Sequence, residues 1–239
     1  MPNVTSSTTR RTRDVIVGAA NALLAVVLAP VCASCARVLE CPLEGPVCPF
    51  CWATVARLTP HSFQTTLIDR GRSAGNYEGT LRDIVHAFKY DGRRTLASPL
   101  GAFLLEAGRD LLKDASCAVP VPLHPWRRLH RGFNQAADLA AALPLPVIHG
   151  LWRQRITPPQ TGLTAAARRR NVRGAFRVSP LLSRRVIHAM FVDRTVVLVD
   201  DVRTTGATLD ACAHVLKDAG AKEVRALTLA FAIHNDNHR

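Results

Sequence analysis

Aromatic side chains are scarce in this 239-residue chain: three Trp, two Tyr and eight Phe, 5% in all. Few rings are therefore on offer for stacking unpaired bases, and the candidates are Trp52, Trp126, Trp152, Tyr77, Tyr90 and Phe133. Trp126 and Trp152 stand beside basic segments, although a Trp is as readily a core residue. Acidic residues run short in one long stretch. Between Arg127 and Arg185 there are twelve arginines and one acid, Asp138, which supplies +11 of the formal net charge of +13. So dense a block fits polyanions, whether phosphorylated substrates, nucleic acid or an anionic membrane surface; a solvated basic face is the alternative. A clean membrane span is also missing. The apolar stretch from Val15 to Val31 is about 17 residues and is broken by Asn21. With Arg10, Arg11 and Arg13 ahead of it, it has the outline of a signal peptide. Asn21 at its centre and Cys32 just after it favour an amphipathic or buried helix, Asp14 to Leu28, stopped by Pro30. No stable membrane insertion is expected. Residues 1 to 13, rich in Ser, Thr and Arg, read as a tail. With 48% of residues apolar, the remainder can build a sizeable core, which excludes wholesale disorder.

Cysteine is present and concentrated. Five of the seven fall in "CASCARVLECPLEGPVCPFC", giving Cys32-x2-Cys35, a gap of twelve residues, then Cys48-x2-Cys51. Each pair forms a tight knuckle that presents two thiolates on one side of a turn, which suits tetrahedral zinc. Pro42, Gly45 and Pro46 allow a hairpin between the pairs. A pair of disulfides is the alternative and needs an oxidising compartment. Four thiolates with no open position make a structural site, which would supply folding energy that so small a module lacks. Cys41 is either a substitute ligand or a neighbour, and Cys117 and Cys212 read as buried core thiols.

The rest alternates between helices and strands. "TLRDIVHAFKYDG" starts with Thr80 ahead of an apolar face of Leu81, Ile84, Val85 and Phe88. Residues 95–113 read as a second helix, Ala118 to Val121 as a strand and the region after Asn134 as a helix. Pro146 to Leu151 and Phe176 to Val178 read as strands around a polar loop and a short basic helix. Val196 to Val199 is an apolar strand, Ala207 to Ala219 a helix stopped at Gly220, and "EVRALTLAFA" a strand that closes the sheet. The alternation predicts an α/β fold with a parallel sheet, whose ligands bind beyond the carboxyl ends of the strands. His86, Lys89 and Tyr90 lie near a helix end and could face the site from a preceding element, although Lys89 reads more readily as a solvated surface lysine.

"VVLVDDVRTTGAT" carries the chemistry. An apolar strand stops on two adjacent acids, then Thr204, Thr205 and Thr208 surround Gly206 as a helix begins. Gly206 lets a ligand approach the backbone, and N–H groups at a helix N-terminus with nearby hydroxyls form an anion cradle. A phosphate does not account for two carboxylates, whereas vicinal sugar hydroxyls do. The stretch therefore reads as a 5-phosphoribose site.

This stretch resembles the PRPP-binding signature of type I phosphoribosyltransferases. With the paired CxxC motifs, "YEGTLRDIVHAFKYDGRRTLA", "VPVPLHPWRRLHRGFNQAADLA" and "RQRITPPQTGLTAAARRRNVRGAF", the chain resembles the ComF family of competence-associated phosphoribosyltransferase-like proteins over roughly residues 30 to 232. The resemblance implies a type I phosphoribosyltransferase fold, a parallel sheet flanked by helices, behind a small N-terminal zinc-binding module. It matches Asp200, Asp201, Arg203, Thr204, Thr205, Gly206, Ala207 and Thr208 to the PRPP loop. It matches Arg127, Arg128 and Arg131 to the pyrophosphate loop, and Arg155, Gln160, Thr161 and Arg168 to the flexible loop that closes over the site. The implied cofactors are Mg2+ with PRPP and structural Zn2+ on Cys32, Cys35, Cys48 and Cys51. The implied chemistry is displacement of pyrophosphate at C1 by an acceptor, driven by stabilisation of the leaving group.

The expected organisation is a tail and apolar helix (1–29), a four-Cys module (30–58), a linker from Thr59 to Arg72 and a phosphoribosyltransferase-type domain (73–234). Two functions remain open: a phosphoribosyltransferase, and a single-stranded-DNA-handling or PRPP-responsive binding protein without turnover. The expected partners are PRPP, single-stranded DNA and other competence proteins, in the cytoplasm.

Overall fold

The structure is a computed structural model that describes residues 16–24, 29–123, 132–154 and 174–232. A five-stranded sheet in the order β1-β2-β7-β6-β3 organises it. Its strands are β1 (His61–Phe63), β2 (Arg70–Asn76), β3 (Cys117–Pro120), β6 (Thr195–Arg203) and β7 (Glu223–Phe231). β1 pairs antiparallel with β2, and the other pairings are parallel. A separate antiparallel pair joins β4 (Leu151–Arg153) to β5 (Phe176–Val178).

Burial on both faces explains the continuous apolar reading of β6. Val197 and Val199 face a core shared with Leu81, Ile84, Val85 and Phe88, whereas Val196 and Leu198 face the opposite core, with Leu209 and Cys212. The first core belongs to helices α2 (Gly79–Tyr90), α3 (Ala97–Gly108) and α4 (Gln135–Ala140), and the second to α6 (Ala207–Asp218). Short α5 (Arg184–Met190), absent from the sequence reading, starts at Ser183, whose hydroxyl accepts from the Val186 N–H. Asn134 caps α4 through the Ala136 N–H, where the sequence places a helix.

Several expectations shift. Residues read as a linker form β1 and the start of β2, because β2 supplies the parallel neighbour that β7 needs. β7 does not close the sheet; it lies between β2 and β6. α2 begins at Gly79 with extended Glu78 as its cap residue, so Thr80 lies inside the helix. The second helix ends at Gly108 rather than 113. Pro146 to Leu151 gives one bridge, Val147 to Ala118, before β4 begins. β3 is bonded to β6 on one side, and that bridge is the contact on its other side, so Pro120 sits at the end of an edge strand where a missing N–H is tolerated. Residues 16–24 are helical, but Ile16 and Leu23 are exposed and Asn21 is the buried residue, accepting from the Leu43 N–H at 2.9 Å. Among the described residues, no helix is long and apolar enough to cross a membrane. The short basic helix expected before β5 lies outside the described residues.

Gly101 sets the spacing between α3 and the turn after α4. A Cβ there would stand 2.2 Å from the Ala142 Cβ. Helix propensity favours Ala over Gly, but the backbones would have to part. Gly101→Ala is therefore expected to destabilise the protein by about 1–3 kcal/mol, read from the urea midpoint. A gain in stability would show that the helices repack freely.

Candidate phosphoribose site and four-thiol cluster

The four cysteines of the paired motifs converge. The sulfurs of Cys32, Cys35, Cys48 and Cys51 all lie within 4.8 Å of one another, with Cys32 and Cys51 buried. Cys48 caps helix α1 (Pro49–Ala56), its sulfur accepting from the Cys51 N–H at 3.5 Å, and the Cys48 N–H donates to the Cys32 sulfur at 3.3 Å. Burial raises the Cys32 thiol, but N–H donors from Cys48, Ser34 and Cys35 outweigh it and bring the pKa down to about 6. Burial and the neighbouring sulfurs push Cys51 up to about 12. Close sulfurs with converging N–H donors form a set that fits a tetrahedral thiophilic cation. Cys41 is exposed and outside the cluster, and Cys117 and Cys212 are buried, as expected of core thiols.

β6 runs past Val199 through both aspartates to Arg203. The acids thus lie within the strand rather than in a turn after it. Strand pleating sends consecutive side chains to opposite faces. Asp201 shares the parity of Val197 and Val199 and meets α2, where the Lys89 ammonium stands 2.9 Å from its Oδ1. Asp200 shares the parity of Val196 and Leu198, on the side of α6 and the buried Arg153 of β4. The pleat sends the two adjacent carboxylates to different sides, Asp201 onto the Lys89 ammonium and Asp200 into a buried site near Arg153. Burial, then repulsion by Asp201, pushes the Asp200 carboxyl up to about 7, against the opposing pull of an Asp201 N–H bond, Lys89 and Arg153. Burial works against the Lys89 ammonium, but Asp201 more than offsets it and raises its pKa.

Lys89 is the largest departure from the sequence reading. It is not a solvated lysine; its side chain is 12% exposed. Arg153 also escaped notice as a site residue, because β4 is only three residues long. A signal for Lys89 exists: it follows Leu81 and Val85 at intervals of four, on the buried stripe of α2.

The turn after β6 forms the cradle. Gly206 has φ +80° and precedes the first turn of α6, and a Cβ on it would stand 3.0 Å from the Thr65 methyl carbon. The Thr205 hydroxyl accepts from the Ala207 N–H at 3.4 Å. From the supposed linker, Thr65 donates its hydroxyl to the Asp210 carboxylate, which also accepts from the Leu67 N–H at 3.1 Å. Asp200, Asp201, Arg203, Thr204, Gly206, Ala207 and Thr208 line one cavity of about 240 Å³, with Lys89 and Arg153 in its wall. Arg203 is also clamped between the rings of Phe63 and Phe231, at 4.0 and 3.9 Å from their centroids, and burial lowers its pKa to about 10. It braces the turn. Arg127, Arg128, Arg131, Arg155, Gln160, Thr161 and Arg168 lie outside the described residues. Their anchor points are described. Asn134 donates its amide to the Val121 carbonyl at 3.2 Å beyond β3, and β4 pairs with β5 across the second segment.

Over residues 130–238 the sequence matches the family described as Phosphoribosyl transferase domain. Competence protein F of Haemophilus influenzae is 29% identical over 215 residues, 84% of this chain and 90% of that protein. DNA utilization protein YhgH of Salmonella typhimurium is 30% identical over 218 residues, 82% of this chain and 87% of its own. The chain belongs to the ComF family. A solved structure of the allosteric regulatory enzyme of purine biosynthesis is 20% identical and covers 60% of this chain and 30% of its own, with a TM-score of 0.38. For this ComF-family chain the fold is a phosphoribosyltransferase-type mostly parallel sheet flanked by helices, with a four-Cys cluster at its N-terminal end.

Proposed function

We propose that this competence-related, phosphoribosyltransferase-like protein binds Mg-PRPP in the cavity at the carboxyl end of β6 and acts in the cytoplasm on the handling of incoming DNA. One observation carries the reading: an adjacent acid pair, one member of it ion-paired to Lys89, and a glycine-opened anion cradle line the same cavity. A 5-phosphoribose presents those two chemistries a few ångströms apart. In this reading the N–H groups and hydroxyls of Thr204 to Thr208 take the 5-phosphate, and Asp200 and Asp201 take the 2- and 3-hydroxyls. Arg153, with the arginines of the adjoining segments, faces the pyrophosphate, since guanidinium pairs with phosphate oxygens in a bidentate manner. Mg2+ would arrive on the ligand's oxygens beside the acid pair and supply charge neutralisation. If an acceptor enters, it displaces pyrophosphate at C1 and the cations stabilise the leaving group.

Calorimetric titration of PRPP with Mg2+ tests the reading. Micromolar binding is the expected outcome, and no binding at millimolar PRPP would overturn it.

The twelve-arginine stretch and the 38%-exposed Trp152, paired across β4–β5 with Arg177, favour single-stranded DNA as a second ligand. DNA affinity is expected to fall steeply with salt, by a factor of about 300 between 50 and 200 mM if some six phosphates are contacted. A flat salt response in fluorescence anisotropy would remove this second reading.

A further inference from the structure

We propose that Lys89 is a positioning residue that makes this cavity recognise ribose hydroxyls, by holding the Asp201 carboxylate aimed at the sugar. The inference rests on the phosphoribose reading of the cavity. The geometry is that of a committed ion pair. Lys89 Nζ lies 2.9 Å from Asp201 Oδ1, and the two side chains are only 12% and 13% exposed. The same ammonium lies 5.8 Å from the centroid of the Tyr77 ring. Its stem continues the stripe of Leu81 and Val85, so the whole length of α2 fixes where the ammonium sits.

Such a pair is poorly explained by stability. Burying two charges costs about as much as their attraction returns, and an apolar side chain of similar volume often does as well. What the pair provides is a carboxylate fixed in direction. A carboxylate has about four acceptor sites, so a bond to Lys89 leaves sites for sugar hydroxyls. Without the ammonium the side chain loses the contact that selects its rotamer, and its oxygens no longer converge with the cradle on one ligand. Lys89 thus acts through Asp201 and need not touch the ligand. The phosphate cradle, on the turn from Thr204 to Thr208, is built without it.

Two probes separate the roles. Ribose 5-phosphate uses the cradle and the acids, whereas inorganic phosphate uses the cradle alone. Both are titrated into the full-length wild type, Lys89→Met and Lys89→Arg, with circular dichroism as the check on folding. The wild type is expected to prefer the sugar phosphate by at least about tenfold, from one or two charged hydrogen bonds. Lys89→Met should bring that ratio close to one with phosphate affinity unchanged, and Lys89→Arg should retain it. A folded Lys89→Met with the wild-type ratio overturns the inference and leaves the phosphoribose reading intact. So does equal loss of both ligands, which would mark Lys89 as a general support of the cavity. Wild type that binds ribose 5-phosphate no better than phosphate defeats the phosphoribose reading and this inference together. If Lys89→Met does not fold, Lys89→Gln serves in the same comparison.

Discussion

Asp201→Asn is expected to weaken Mg-PRPP binding at least about a hundredfold, equivalent to about 2.7 kcal/mol. Two losses add. Asn accepts fewer and weaker hydrogen bonds from the sugar, and the Lys89 ammonium, 2.9 Å away, is left in a buried site without its counter-charge. The variant should therefore also melt at a lower temperature, which thermal unfolding can register separately from affinity. Wild-type affinity in calorimetry would remove Asp201 from the site. Asp200→Asn makes an informative companion, because the two acids differ in cost. Asp200 is held up at about 7, above its unfolded value, so the native state gives up its proton reluctantly. Stability is then lost as pH rises from the ordinary carboxyl range, about 4, towards 7, and stays low above it. Asp200→Asn should weaken ligand binding yet raise the melting temperature at pH 8, with little change near pH 4. A destabilised variant at pH 8 would contradict this account.

The second large effect concerns the thiol cluster. One zinc per chain is expected by metal analysis, and removing it with a strong chelator should unfold the residues around it. The module's own buried core consists of Cys32, Leu39 and Cys51, with Val47 and Cys48 packed on it, too little to fold unaided. Structural zinc on such ligands contributes on the order of 10 kcal/mol of apparent binding energy, so Cys51→Ser should lose both the metal and the local fold. The damage should spread. Val55 of α1 lies in the main core, Trp52 meets Phe103 edge-on at 6.3 Å, and Ser34, between the first two cysteines, donates to Asp83 of α2 at 3.2 Å. Because α2 carries Lys89 at its other end, zinc-free protein should also bind PRPP more weakly. Metal-free protein with an unchanged melting curve would show the cluster to be dispensable.

Features confined to a few neighbouring residues were legible in the sequence. The paired CxxC spacing foretold the sulfur cluster, and the Thr-Thr-Gly-Ala-Thr run foretold the turn and α6. The apolar face of α2 was read correctly at Leu81, Ile84, Val85 and Phe88. What escaped depended on partners far along the chain. Lys89 looked like any lysine at a helix end because its role is fixed by Asp201, over a hundred residues later. β1 and β2 are rich in polar residues such as His61, Ser62, Arg70 and Arg72, so their strand character comes from hydrogen bonding, β1 to β2 and β2 to β7, rather than from a hydrophobic pattern. β7 itself contains Arg225 and Thr228, which blur an apolar run; both are buried, Arg225 against the carbonyls of Leu111 and Lys113 and Thr228 against Ser73. The acid pair extended the strand where a turn was expected, since β7 offers bonding partners as far as Phe231.

The central place of β7 bears on how the protein comes off the ribosome. The four cysteines of the cluster are all synthesised by residue 51, so the four-Cys module can fold while the rest is still being made. The sheet cannot. Residues 223–231 insert between β2 and β6, strands separated from each other by well over a hundred positions. Until β7 emerges, β2 and β6 each present an unpaired edge, and the two cores lack Val224, Ala226, Leu227, Leu229 and Ala230. A long-lived, chaperone-dependent nascent chain is the expected consequence, and a ribosome stalled before residue 223 should hold a folded metal module beside a protease-sensitive remainder.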